Sequence, residues 1–158
     1  LQPWLVARAR PARRGSCAAL DDYLAARPRS PIATHLQPGL MRCRTDAGAP
    51  EEALALAEAL EVDDLACVGW GVDGPVAEAH RALGNHGAAL EALERVLRDH
   101  TIGRYAEPIV LIEMADVHLD AGDIDAAQAL IDEAAAHPAL NDAGVIQLER
   151  VQERLGSR

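Results

Sequence analysis

Residues 46–60 read DAGAPEEALALAEAL, residues 82–96 read ALGNHGAALEALERV, and residues 120–134 read DAGDIDAAQALIDEA. One phrase is written three times: a small residue, a glycine, a short polar or proline-bearing link, then an Ala-rich amphipathic run. The glycines are Gly48, Gly84 and Gly122, spaced by 36 and 38 residues. Five residues after each stands an alanine: Ala53, Ala89 and Ala127. A period in this range marks helix–turn–helix repeats, in which each unit buries its apolar face on its neighbours. The fold class that follows is all-α: antiparallel helix-pair repeats, about three of them, with flanking helices.

Composition agrees. The chain has 158 residues, no Phe, two Trp and two Tyr. Its core must be built from Ala, Leu, Val and Ile, which suits close-packed helices better than a β-sandwich. Lysine is absent and all 15 basic residues are Arg. Residues 1–45 carry a net charge of +6, and residues 46–158 carry −16. An acidic body argues against nucleic acid as a partner, because phosphate binding needs a basic face. Three cysteines, Cys17, Cys43 and Cys67, are an odd number without a CxxC, so buried, reduced thiols in a cytoplasmic protein are expected. No apolar run is long enough to span a membrane, and the start LQPWLVARARPARRG lacks the long apolar region of a signal peptide. The opening Leu-Gln-Pro suggests a domain excised from a larger protein.

Along the chain, residues 1–15 read as an Arg/Pro-rich leader, and residues 16–158 as the helical-repeat domain. Ser16 is read as the N-cap of a helix from Cys17 to about Arg27, with Leu20, Tyr23 and Leu24 on one face. Pro31 opens the next, through Ala47, and Pro38-Gly39 inside it predicts a kink or a split into two. Gly48 ends that helix in the left-handed conformation. Pro50 opens a helix to about Glu61, with Glu51 and Glu52 at its positive end. Residues 62–74 are the least helical, and a helix capped by Asp73 restarts near Pro75. Residues 86–99 turn Leu90, Leu93, Val96 and Leu97 inward. Residues 105–121 and 123–136 form the cleanest pair, the second capped by Asp123 and burying Ala127, Leu130, Ile131 and Ala134. Asn141 or Asp142 caps a last helix, with Val145, Leu148, Val151, Gln152 and Leu155 near one face.

Residues 69–74, GWGVDG, are a literal GxGxxG after a short apolar run. A dinucleotide-binding turn needs a strand before it, parallel strands after it, and an acidic residue about twenty positions on. Here that position, near Glu94, lies inside a strong helical pattern. Residues 109–112, IVLI, are the sole strand-like run. A glycine-rich bend between repeats is the preferred reading, and a small-molecule pocket beside Trp70 is the alternative function. The six histidines show no HExxH or HxxxH spacing. His80 and His118 share a register, four residues before Gly84 and Gly122, and so share one packing job within their helix pairs. There is no GK[ST] for phosphate. No enzyme, cofactor or metal site is expected.

The repeats resemble tetratricopeptide repeats. In that family a small residue on the first helix, a turn glycine and an alanine on the second recur about every 34 residues. Ala77 and Ala115 match the first position, with Met41 replacing it in the first repeat; Gly48, Gly84 and Gly122 match the turn; Ala53, Ala89 and Ala127 match the last. The family's common tyrosine is replaced by Arg44, His80 and His118. A narrower likeness, carried by residues 114–134, MADVHLDAGDIDAAQALIDEA, is to the repeat regions of large bacterial LuxR/MalT-type transcription regulators. The resemblance implies a right-handed superhelical array serving as a noncatalytic interaction or scaffold module.

It also implies that the first helix of each pair lines a concave groove. Groove positions are His35, Arg42, Thr45 and Asp46, then Glu78 and Arg81, then Glu113, Asp116 and Asp120 beside Ile109 and Ile112. Their acidic end suits a basic peptide or protein partner. That expectation fails if those acids face outward or are covered by the chain's own last helix. Dimerisation through the Arg-rich start or the last helix is compatible with the sequence.

Overall fold

The computed structural model describes residues 16–27, 31–60, 70–98 and 106–157. Eight helices run through them: α1 (Ser16–Ala26), α2 (Pro31–Asp46), α3 (Pro50–Glu58), α4 (Trp70–Ala82), α5 (His86–Arg98), α6 (Glu107–Ala121), α7 (Ile124–Ala136) and α8 (Asp142–Gly156). No strand occurs among the described residues, and no helix there is long and apolar enough to cross a membrane. The leader, residues 1–15, lies outside the described residues. The stretch read as one repeat domain divides into two compact units, Leu1–Leu83 and Gly84–Arg158.

The three repeat glycines take left-handed backbone, with φ of +81° at Gly48, +74° at Gly84 and +81° at Gly122. At two of them the closing bonds form the same pair. Gly48 N–H donates to the Thr45 carbonyl at 3.0 Å and Ala49 N–H to that of Arg44 at 2.9 Å. Gly122 N–H donates to Leu119 at 3.1 Å and Asp123 N–H to His118 at 2.9 Å. This pair of hydrogen bonds satisfies carbonyls that a helix end leaves open, and it needs a residue with φ above zero. Asp123 caps α7, its carboxylate accepting from Ala126 N–H at 3.3 Å, and Asn141 caps α8, accepting from Gly144 N–H at 3.0 Å.

In the first unit α2 packs on α3, and α4 packs on both. Met41 of α2, Ala53 of α3, and Val72 and Ala79 of α4 form its buried centre, with Leu54, Leu56, Leu60 and Val76 around them. The first helix, α1, lies against α2, where Cys17, Leu40 and Cys43 are buried together with Leu20, Leu24 and Leu56 beside them. Cys17 and Cys43 are joined as a disulfide, which corrects the expectation of reduced thiols. Sequence spacing does not reveal the pairing; it requires the two α-carbons to come within bridging distance, here 5.7 Å. Cys67 lies outside the described residues.

Two breaker-rich stretches are more helical than expected. Residues 31–46 form one helix through Pro38, which is itself buried, not two short ones. Helix α4 begins at Trp70, so Asp73 sits in its first turn instead of capping it, and Pro75 lies inside. Each proline removes one backbone donor. The burial of Leu40 and Met41 in the one helix and of Val72 in the other, at 6% exposure or less, outweighs that loss and the low helix propensity of glycine.

The second unit is organised around α6, which packs on α5, α7 and α8. Seven of its residues are buried, Pro108, Val110, Leu111, Ile112, Ala115, Val117 and Leu119. Residues 109–112 are thus the start of a central helix, not a strand. Ala127, Ile131 and Ala134 of α7 and Leu148 and Val151 of α8 complete the core, with Leu97 of α5 packed against it. The last helix is rotated from its expected setting. Gly144, Leu148 and Val151 are buried, while Val145 is 39% exposed. A Cβ at Gly144 would stand 2.6 Å from Leu140 Cδ1 and 2.9 Å from Ile109 Cδ1, so the bare glycine lets the first turn sit close without displacing the ends of those side chains. That approach carries the 144–148–151 face inward and leaves Val145 and Gln152 outside.

Candidate functional site

The repeat register places a small or flexible residue wherever helices must meet closely. Met41, Ala77 and Ala115, aligned seven residues before the glycines, are 0%, 3% and 0% exposed, and Ala53, Ala89 and Ala127 are all fully buried. With those positions spent on packing, the polar residues of α2, α4 and α6 fall on the remaining faces.

In the first unit, Arg42 and Glu78 come together: Arg42 Nε donates to Glu78 Oε1 at 2.9 Å, tying α2 to α4. The Arg42 guanidinium also lies 3.2 Å from the point a Cβ would occupy at Gly74. This gives the GxGxxG stretch a structural use. Gly71 and Gly74 are helical, and Gly74 leaves room for an arginine of the neighbouring helix. Two residues on from Arg42, Arg44 bridges three helices, reaching Asp21 of α1 at 2.7 Å and Glu52 of α3 at 3.3 Å. His35 is exposed on α2, and Arg81 is half-buried near the end of α4. The side chain of Trp70 lies outside the described residues, so the pocket expected there does too.

In the second unit the expected acidic face is met by the chain itself. Asp116 and Asp120, one turn apart on α6, both accept from Arg154 of α8: Nη1 bonds Asp116 Oδ1, and Nη2 bonds Asp120 Oδ1 at 2.6 Å. One guanidinium thus bridges two carboxylates, using the fork geometry that suits Arg to such pairs. At these two positions the acids expected to line a groove are engaged by the chain's own last helix. Helix α8 covers α6, because Leu148 and Val151 must be buried on it, and Arg154 lies three residues on from Val151.

Beside this bridge an open cleft of about 310 Å³ remains between α6 and α8. Ile112, Glu113 and Asp116 line it from α6; Gln147, Arg150, Val151 and Arg154 line it from α8. Ile112 and Val151 supply an apolar floor, being 2% and 5% exposed. Arg150 is exposed and pairs with no described residue, whereas Arg154 is committed to its two aspartates. Sequence reasoning found Glu113, Asp116 and Ile112 but missed the α8 half. The signal was there: 147, 150, 151 and 154 follow the i, i+3, i+4, i+7 spacing of one helix face.

The histidines act locally. His118 Nδ1 lies 3.5 Å from Asp123 Oδ2, across the turn at Gly122. His80 does not repeat this: its Nδ1 is buried without a hydrogen-bond partner among the described residues, and Asn85 stands where the third repeat has Asp123. His137 Nδ1 accepts from Ala139 N–H at 3.2 Å, so the neutral ring carries its proton on Nε2, which faces Glu107 Oε2 at 3.3 Å. No group of three or more His, Cys, Asp or Glu among the described residues is arranged to hold a metal ion. Comparison of the chain with family profiles, curated proteins and solved structures finds no significant match.

Proposed function

We propose that this chain is a noncatalytic helical-repeat interaction module, and that the α6–α8 cleft is where a partner peptide engages it. The observation that carries the repeat reading is the coincidence of three features in one register. The left-handed glycines recur at 36 and 38 residues, a buried small or flexible residue precedes each by seven positions, and a fully buried alanine follows each by five. An array built this way spends its small residues on helix contact and offers polar side chains to a ligand. The likeness of residues 114–134 to the repeat regions of LuxR/MalT-type regulators implies a module linking other domains of a longer regulatory chain.

The cleft fits a peptide that lays an apolar side chain on Ile112 and Val151 and turns a carboxylate toward Arg150. The basic peptide suggested by sequence has less to meet here, since Asp116 and Asp120 are already engaged by Arg154. Panning a random peptide library against the chain tests this. Enriched sequences are expected to pair an apolar residue with Asp, Glu or a free C-terminus, and Arg150→Glu is expected to abolish their binding. Enrichment of basic peptides, or binding indifferent to Arg150→Glu, rejects the assignment.

A further inference from the structure

We infer that the Cys17–Cys43 disulfide is a redox latch: reducing it frees α1 from α2 while α2, α3 and α4 stay packed. Helix α1 has 11 residues, and isolated helices below about 12–15 residues are marginal in water. Among the described residues its docking rests on little besides the bond. Leu20 and Leu24 are only partly buried against Leu40 and Cys43, and the Asp21–Arg44 pair is 38% and 29% exposed, which makes it weak. The rest of the unit is held by a second cluster, Met41, Ala53, Val72 and Ala79, and by Arg42–Glu78, none of which involves either cysteine of the bond. A covalent tie therefore holds the least supported helix, and noncovalent packing holds the others.

Position gives a reductant its route. Both sulfurs belong to buried residues, at 5% and 6% exposure, but Cys17 is the second residue of α1. Helix ends open first, so local fraying presents the bond without unfolding the unit. A thiolate of a small dithiol then attacks one sulfur and forms a mixed disulfide, and its second thiolate displaces the other protein thiol. Cys17 and Cys43 end as protonated thiols, and the dithiol ends as its own disulfide. Without the bond, α1 is no longer confined beside α2, and its departure uncovers Leu40 and Cys43 of α2 with Leu56 of α3, an apolar strip.

Hydrogen–deuterium exchange of the full chain, with and without dithiothreitol, tests this. A Cys67→Ser background removes the third thiol. Mass analysis of the oxidised protein should show Cys17 joined to Cys43. On reduction, amides of α1 should exchange roughly 100-fold faster, the scale set by losing one loop-closing bond, while those of α2, α3 and α4 change little. Cys17→Ser with Cys43→Ser should reproduce the reduced pattern without reductant. Unchanged protection in α1, loss of protection throughout the unit, or free thiols in the oxidised protein would each overturn the latch.

Discussion

Gly48 and Gly39 lie nine positions apart, and neither has an atom within 4 Å of where a Cβ would stand. Space therefore does not distinguish them; backbone conformation does. Gly48 closes α2 at φ +81°, where an L side chain meets its own carbonyl, while Gly39 lies inside the same helix. Gly48→Ala is expected to destabilise the protein by about 1 kcal/mol. Gly39→Ala is expected to stabilise it by about 0.5–1 kcal/mol, because alanine loses less backbone entropy in a helix. Urea unfolding of the two variants should move the midpoint in opposite directions. A matching shift in both would mean that the turn at Gly48 tolerates a side chain. Gly122 belongs with Gly48, sharing its φ and its pair of closing bonds.

Between elements, the recurring device is an arginine reaching across to carboxylates on a neighbouring helix. Arg42 joins α2 to α4, Arg44 joins α2 to α1 and α3, and Arg154 joins α8 to α6. These pairs are half-exposed, so each adds little to stability and more to setting how the helices align. For Arg154 the contribution is measurable because two acids converge on it. A double-mutant cycle of Arg154→Met and Asp116→Asn should give a coupling energy of about 0.5–1.5 kcal/mol, smaller at high salt. A coupling indistinguishable from zero at low salt would show that burial of Leu148 and Val151 alone places α8. The charges that looked like ligand contacts thus include the joints of the packing. Arg42 and Glu78 were both expected to face a groove, and they face each other.

At the scale of the molecule, the second unit has its own central helix and its own closed core, reaching from Leu111 to Val151. A fragment of residues 84–158 is accordingly expected to fold alone, with a helical circular-dichroism spectrum and a cooperative thermal transition. A non-cooperative melt would mean that the core needs the rest of the chain. The turn glycines and the helices away from the breaker-rich stretches were legible in the sequence because they depend on residues within a few positions of one another. The buried alanines and the Asp123 cap follow from the same local chemistry, as does the all-α class. The candidate site was half legible. The α6 side, Ile112, Glu113 and Asp116, came from the repeat register, but Arg150 and Arg154 meet it only because α8 turns Gly144 inward. The sequence by itself determined the all-α class, the left-handed turn glycines and the buried alanines five residues after them, since helix period and backbone strain are local properties. Only the tertiary structure decided that Cys17 meets Cys43, that α4 runs through its glycines and proline, and that Arg154 closes the acidic face. Those outcomes rest on contacts between residues 26 or more apart along the chain or on burial against other helices, which no local pattern records.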